Sequence, residues 1–468
     1  MLEIVTPPGF TSERAYVIQV LIGDWLGLEY GYRQEDTTHV SIRLNGQQGE
    51  ICLPDTFFSQ FADGKDKWLH ESSMPRQPLR HWDTQALSSD ITLVERTVPI
   101  IFGQTTGSEC SDSRGASSGG QIHLPLDIFG SAFFMLSRYE ELVVEDRDEH
   151  DRFPAWASLA YQEGFLERPI VDEYVEILWE AMRMLWPGLE RRMREPKIFV
   201  TCDVDSPFCF DGSVRRMVRR AGGDLLKRRS PGNAARTVVG SWLARRGNHH
   251  LDPHRNGLEF IMDVNEQADR SVGFYFIAEK TDPRLDKPVS LDDPRMRALL
   301  REIHARGHEI GLHPGYNTFR HPEAMARSAE TLRRVMAEEG IEQEQIGGRQ
   351  HFLRWEPPTT ARLWEENGLD YDSTLSYADR PGFRCGTSRE YPLYDLERGR
   401  ALRLRERPLI VMECSVIAER YMALGYSEEA LTLMEGCRDA CHRFGGDFTL
   451  LWHNSHLASA ADRRFYRR

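Results

Sequence analysis

Residues able to do chemistry stand at the ends of apolar runs. Asp203-Val204-Asp205 closes KIFVTCDVD, His313 closes GHEIGLH, Arg349-Gln350-His351 lies in GGRQHFL, and His453 follows Leu450-Leu451-Trp452. Residues two apart on a strand face the same side, so Asp203 and Asp205 can share one pocket. Two close carboxylates repel unless a cation lies between them or one keeps a proton. A divalent metal held by one Asp and a His, with the other Asp as general base, removes that conflict. The competing reading is a helix start, which Asp205-Ser206-Pro207 would also suit. His313, beside Pro314 and Gly315, is a ligand candidate of the type that takes Zn, Fe, Co or Ni. A lone His is more often a core or surface residue. His453, delivered by an apolar strand, is placed to be a catalytic acid. Arg349 can orient the Asp203 carboxylate, polarise a substrate carbonyl, or form a plain salt bridge.

Such convergence needs strands that end in one place. Strand-like runs at 197–205, 272–280, 307–315, 347–353, 369–375, 408–416 and 447–454 alternate with amphipathic helices such as DPRMRALLREIHARG. Apolar strands alternating with helices imply a parallel sheet buried on both faces. Seven such units fit a closed or partly closed β/α barrel, whose sites lie at the carboxyl ends of its strands. A doubly wound open sheet is the alternative. Residues 1–195 differ: short strand-like runs (AYVIQVLIG, HVSIRLNG, EICLP) precede helical stretches such as LPLDIFGSAFFMLSRYEEL and VDEYVEILWEAMRMLW. WPGLERRMREP then marks a boundary. The expected division is a smaller α+β domain over 1–195 and an α/β domain over 196–468.

The chain has 468 residues, 40% hydrophobic and 28% charged, enough to bury a core. Its net charge of -13 argues against a general nucleic-acid binder. No apolar run approaches the ~18 residues of a membrane span. The start lacks the marks of a signal peptide, and eight scattered Cys include no CxxC pair. A reduced, cytoplasmic enzyme is the expectation. Serine-hydrolase, P-loop and dinucleotide motifs are missing. One segment opposes the acidic whole: 212–255 holds eleven Arg or Lys against Asp224 and Asp252. It is either a solvated helical insertion or a contact for a pyrophosphate-bearing substrate or a membrane surface. The Gly/Ser-rich stretch 105–121 reads as an exposed loop. DRPGFRCGTSREY (379–391), with Arg384 and Arg389, is either a substrate-gripping loop or ordinary surface.

These residues resemble the polysaccharide deacetylases of the NodB-homology, carbohydrate esterase type, over roughly 197–460. Thr201-Cys202-Asp203-Val204-Asp205 stands where that family reads T-F-D-D. Gly307-His308-Glu309-Ile310-Gly311-Leu312-His313 matches its G-H-E-I-G-x-H, and Leu451-Trp452-His453 its final L-x-H. The resemblance implies a distorted (β/α)7 barrel with a divalent metal, Zn first and Fe, Co or Ni as alternatives. Asp203 would be general base, His453 general acid, and Asp205 and His313 metal ligands. Asn317 occupies the position of the family's second motif His and is a poorer candidate ligand there, so His351, or more weakly His321, would complete the ligand set. Arg349 belongs to the catalytic group, and Arg384, Tyr316 and Trp452 are substrate-binding candidates. The implied activity is removal of an acetyl or similar acyl group from an amino sugar in a surface-polysaccharide precursor, nucleotide- or lipid-linked. Hydrolysis of another C–N bond and a non-catalytic glycan-binding scaffold are the alternatives. The first 195 residues resemble an uncharacterised region that accompanies such deacetylases.

Overall fold

The computed structural model describes residues 1–61, 67–104, 120–210, 213–226 and 229–468. Most of the predicted Gly/Ser loop, and Lys227 and Arg228 of the basic segment, lie outside the described residues. The amino-terminal sheet is built from β1 (Leu2–Thr6), β2 (Tyr30–Gln34), β3 (His39–Leu44) and β4 (Glu50–Pro54). A hairpin of β5 (Arg80–Asp83) and β6 (Thr97–Ile100) stands apart, and β7 (Gln121–His123) completes the sheet in the order β2-β1-β3-β4-β7. One expectation fails here. AYVIQV is not a strand but part of the helix Thr11–Ile18, which continues as a π-helical turn over Gln19–Trp25. Val17, Ile18, Val20, Leu21 and Ile22 are all buried. With five apolar residues in the six positions 17–22, the run carries no alternation that could separate helix from strand. LPLDIFGSAFFMLSRYEEL forms two helices, Ile128–Leu136 and Tyr139–Val143, broken at Arg138, whose φ is 56°.

The larger sheet runs through β8 (Ile198–Val204), β9 (Val272–Phe276), β10 (Glu309–Leu312), β11 (Gly347–Gly348), β12 (Tyr371–Asp372), β13 (Tyr391–Asp395), β14 (Arg400–Glu406), β15 (Val411–Met412) and β16 (Phe448–Leu451). Its order is β13-β14-β12-β11-β10-β9-β8-β16-β15, parallel except for β13. β13 and β14, a hairpin absent from the sequence reading, form one edge. Among the described residues no strand pairing joins the edges β13 and β15, so this mixed α/β sheet is not a hydrogen-bonded closed barrel.

It is nevertheless strongly curled. Arg349 follows β11, three strands from β8, which in a flat sheet is about 14 Å. Yet its Nη1 lies 2.8 Å from Asp203 Oδ1 and 3.0 Å from Thr201 Oγ1. Tyr371 and Tyr275, on β12 and β9, meet hydroxyl to hydroxyl at 3.0 Å inside the curl. Gly347 leaves room for this: a Cβ there would stand 2.3 Å from the Tyr371 ring. One buried apolar cluster extends from Leu2 to Phe465 across both sheets. Val171 N donates to Gly386 O at 2.8 Å, and Tyr16 Oη to Pro392 O at 2.8 Å, tying the amino-terminal elements to the larger sheet. No described helix is long and apolar enough to cross a membrane.

Candidate active site

The carboxyl ends of β8, β10, β11 and β16 open into one cleft, lined among others by Asp203, Asp205, His313, His351 and His453. His313 and His351 are each oriented by a bond from Nδ1. That of His313 lies 2.6 Å from Arg349 O, and that of His351 lies 2.8 Å from Asp286 Oδ1. Both partners only accept, so each Nδ1 carries a proton and Nε2 is the atom left to face the cleft. Both Nε2 atoms face the same oxygen: Asp205 Oδ1 is 3.3 Å from His313 and 3.4 Å from His351.

That oxygen is shielded from solvent and accepts no hydrogen bond. A lone-pair oxygen facing two lone-pair nitrogens is stable only with positive charge among them. Burial disfavours a charged His313, yet Asp203 and Asp205 outweigh it and raise its pKa. Burial likewise opposes ionisation of Asp205, but His351, His313 and His453 hold its carboxyl far below the usual range. The three ligand atoms lie within 4.8 Å of one another. Carboxylate plus two Nε2 imidazoles, with Nδ1 held by an oxygen, is the donor set of an open divalent-metal site.

Asp286 is the outer partner that sequence reasoning missed. It is fully buried and also accepts from Thr281 N and Oγ1, Asp282 N and Tyr316 N. Nothing in TDPRLDKP marks it, because its role depends on a loop folding back to β11. Asp286→Ala is expected to lower metal affinity about 10–100-fold, read by competition with a chelating dye.

Asp203 stands beside this group. One oxygen is taken by Arg349, and Oδ2 points toward His313 Nε2 at 3.9 Å. Arg349 is fully buried; it also donates to Ser373 O at 2.7 Å and Ser373 Oγ at 3.0 Å, and does not line the cleft. Its guanidinium is taken up by Asp203, Thr201 and Ser373 rather than by the cleft. Across the cleft, His453 Nε2 lies 4.0 Å from Asp205 Oδ2, and its Nδ1 lies 2.7 Å from Glu413 Oε1. Burial works against the imidazolium, but Glu413 outweighs it and raises the His453 pKa well above normal. Glu413 follows β15 inside the strand-like run 408–416, where sequence reasoning did not single it out.

The amino-terminal region reaches the cleft through Arg152, also unforeseen. Its guanidinium lies 2.7 Å from Asp148 Oδ2 and donates to Phe352 O at 3.0 Å. Phe352 and Leu353, next to His351, have φ of 64° and 55°, a left-handed conformation that costs roughly 1–2 kcal/mol per residue. Arg152 and the His150 ring, 4.6 Å from that of Phe352, hold this turn.

Other expected site residues fall elsewhere. Asn317 donates to Thr281 O at 3.1 Å and does not line the cleft. Tyr316 packs against His150 and Phe352 behind it. Arg384 is buried, with its guanidinium on Glu141 and Ser376 O. Arg389, from the same candidate gripping loop, is buried too and donates to Phe444 O. Trp452 is buried against Phe465 and Tyr466. None of these five lines the cleft. His321 also stays outside the lining.

A family model described as a family of unknown function (DUF7033) matches residues 2–187. No curated protein matches. Among solved structures, a Mycobacterium smegmatis protein described as a polysaccharide deacetylase is similar at 17% identity and a TM-score of 0.37, over 58% of this chain and 83% of that one. The Puue allantoinase is similar at 16% identity and a TM-score of 0.31, over 45% of this chain and 65% of that one. The functional reading therefore rests on the geometry of the site.

Proposed function

We propose that this protein is a metal-dependent hydrolase that removes an acetyl or similar acyl group from an amino sugar of a surface-polysaccharide precursor. The observation that carries the reading is Asp205 Oδ1, buried, unbonded and faced by two imidazole Nε2 atoms. Asp205, His313 and His351 would hold a divalent ion, Zn first and Fe, Co or Ni as alternatives, which supplies Lewis acidity toward the acyl carbonyl and the attacking water. Asp203, one oxygen fixed by Arg349, keeps Oδ2 to accept the proton of that water. His453, its Nδ1 held by Glu413, offers the Nε2 proton to the departing amine, so that an uncharged amine leaves. The acyl group departs as the carboxylate. In this reading the curled sheet acts as a distorted (β/α)7 barrel over 196–468. Residues 1–195 form a second α+β unit whose Arg152 buttresses the turn carrying His351.

The test is acetate release from acetamido-sugar nucleotides and lipid-linked acetamido sugars. Turnover that chelation stops and metal restores is the expected result. Glycan binding without metal or turnover would replace the enzyme by a scaffold. Opening of a cyclic amide, with acetamido sugars untouched, would keep the chemistry and change the substrate.

A further inference from the structure

The basic segment folds as two helices, Val214–Leu226 and Pro231–Ala244, packed side by side. Thr237 Oγ1 donates to the buried Asp224 Oδ2 between them at 2.9 Å. The second helix is inside out. Its buried face is Ala234, Thr237, Gly240, Ser241 and Ala244, whereas Val238, Val239 and Trp242 are exposed. The first helix repeats the pattern: Val214, Val218 and Leu225, at spacings of one helical face, are exposed beside Leu226. Val218 is 61% exposed, Leu226 84% and Trp242 48%. A helix that packs on a soluble body buries its large apolar residues and exposes its polar ones. Here the small residues are inside, and Gly240 sits so close to Phe210 that a Cβ would stand 2.4 Å from its ring.

Arginines flank the apolar stripes. Arg215, Arg219, Arg236 and Arg246 are exposed, and the Arg246 guanidinium lies 3.6 Å from the Trp242 ring centroid. Exposed Val, Leu and Trp bordered by Arg is the composition of a helix lying in a membrane interface. A purely solvated insertion would explain the arginines but not the apolar stripes.

The pair is rooted at the cleft. Buried Asp252 closes its base by accepting from Cys209 N at 3.0 Å and Phe210 N at 2.7 Å. The carbonyl of Ser206, next to Asp205, accepts from His254 Nδ1 at 3.0 Å and Asn454 Nδ2 at 3.2 Å. Asn454 in turn adjoins His453.

We propose that the helix pair 214–244 docks on an anionic lipid bilayer, with Val218, Leu226, Val238, Val239 and Trp242 in the headgroup boundary and the arginines on lipid phosphates. Docking fixes the cleft at the membrane surface, and the acyl-bearing sugar is then one carried on a lipid pyrophosphate. The substrate half of this inference rests on the hydrolase reading; the docking half does not.

Metal-loaded full-length protein is sedimented with vesicles of equal parts phosphatidylglycerol and phosphatidylcholine, and with phosphatidylcholine alone. Binding to the anionic vesicles, weakened by salt, is expected. Val239→Glu or Trp242→Glu is expected to weaken it about tenfold or more, and Arg219→Ala about fivefold. These exposed substitutions leave the fold and the hydrolysis of soluble acetamido sugars intact. No sedimentation with anionic vesicles, or equal sedimentation of the Glu variants, overturns the proposal. A concentration-dependent dimer that Val239→Glu abolishes, without vesicle binding, also overturns it and names a second copy as the occupant. Vesicle binding without hydrolysis of any acylated sugar would remove the enzymatic reading and leave docking intact.

Discussion

Purified protein is expected to carry close to one equivalent of a divalent metal, and His313→Ala and Asp205→Ala each to reduce it to background. The reason is the small donor set: three side-chain atoms, two of them oriented by Arg349 O and Asp286. Removing one leaves a two-ligand site that water competes with freely. Hydrolysis is expected to fall by on the order of 10³-fold or more, because carbonyl polarisation and water activation disappear together. His351→Ala is expected to lose metal as well, and His321→Ala to keep it, since His321 does not line the cleft. Elemental analysis beside circular dichroism checks this. Full metal content in His351→Ala would remove that residue from the ligand set. Absence of metal in the wild type after reconstitution would remove the metal reading altogether.

The second large effect concerns Arg349 and Asp203, an ion pair with side chains 0% and 3% exposed. Truncating one partner of a buried pair strands the other charge, at a cost of roughly 3–5 kcal/mol. Arg349→Leu is therefore expected to lower unfolding stability by about that amount in a denaturant titration. Asp203→Asn keeps an acceptor for Arg349 and fills the same volume, so a smaller loss is expected. Its effect belongs to activity: about 10²–10⁴-fold lower kcat with metal content unchanged, the contribution of a general base. A stable Arg349→Leu would mean that this pair does not hold the fold. An active Asp203→Asn would assign the base elsewhere.

Strand ends with unusual polar residues were legible in the sequence, because strands β8, β10 and β16 are apolar and their chemistry follows at once. Asp203, Asp205, His313 and His453 could be singled out on that basis, and His351 from the run GGRQHFL and the motif position held by Asn317; all five line one cleft. Helix and strand were not separable in AYVIQV, where a near-continuous apolar run erases the period. Arg384 and Trp452 stood in suggestive places, and the fold spends them on packing. Asp286 and Arg152 carry no local signature, and Glu413, although it closes the apolar stretch of the run 408–416, was not singled out. Each acts on a residue far along the chain: Asp286 on His351, Glu413 on His453, and Arg152 on the carbonyl of Phe352.

By itself, then, the amino-acid sequence determined which strand ends bear ionisable groups, since period and polarity are local properties of a strand. It determined also that a strongly basic segment interrupts an acidic chain. The tertiary structure alone decided which imidazole nitrogen faces the cleft, which carboxylate is neutralised by Arg349, and that the basic helices turn their large apolar side chains outward. Those outcomes depend on contacts between residues far apart in the chain, 36 positions for His313 and Arg349, 65 for His351 and Asp286 and 146 for Arg349 and Asp203, and no short window of sequence contains them.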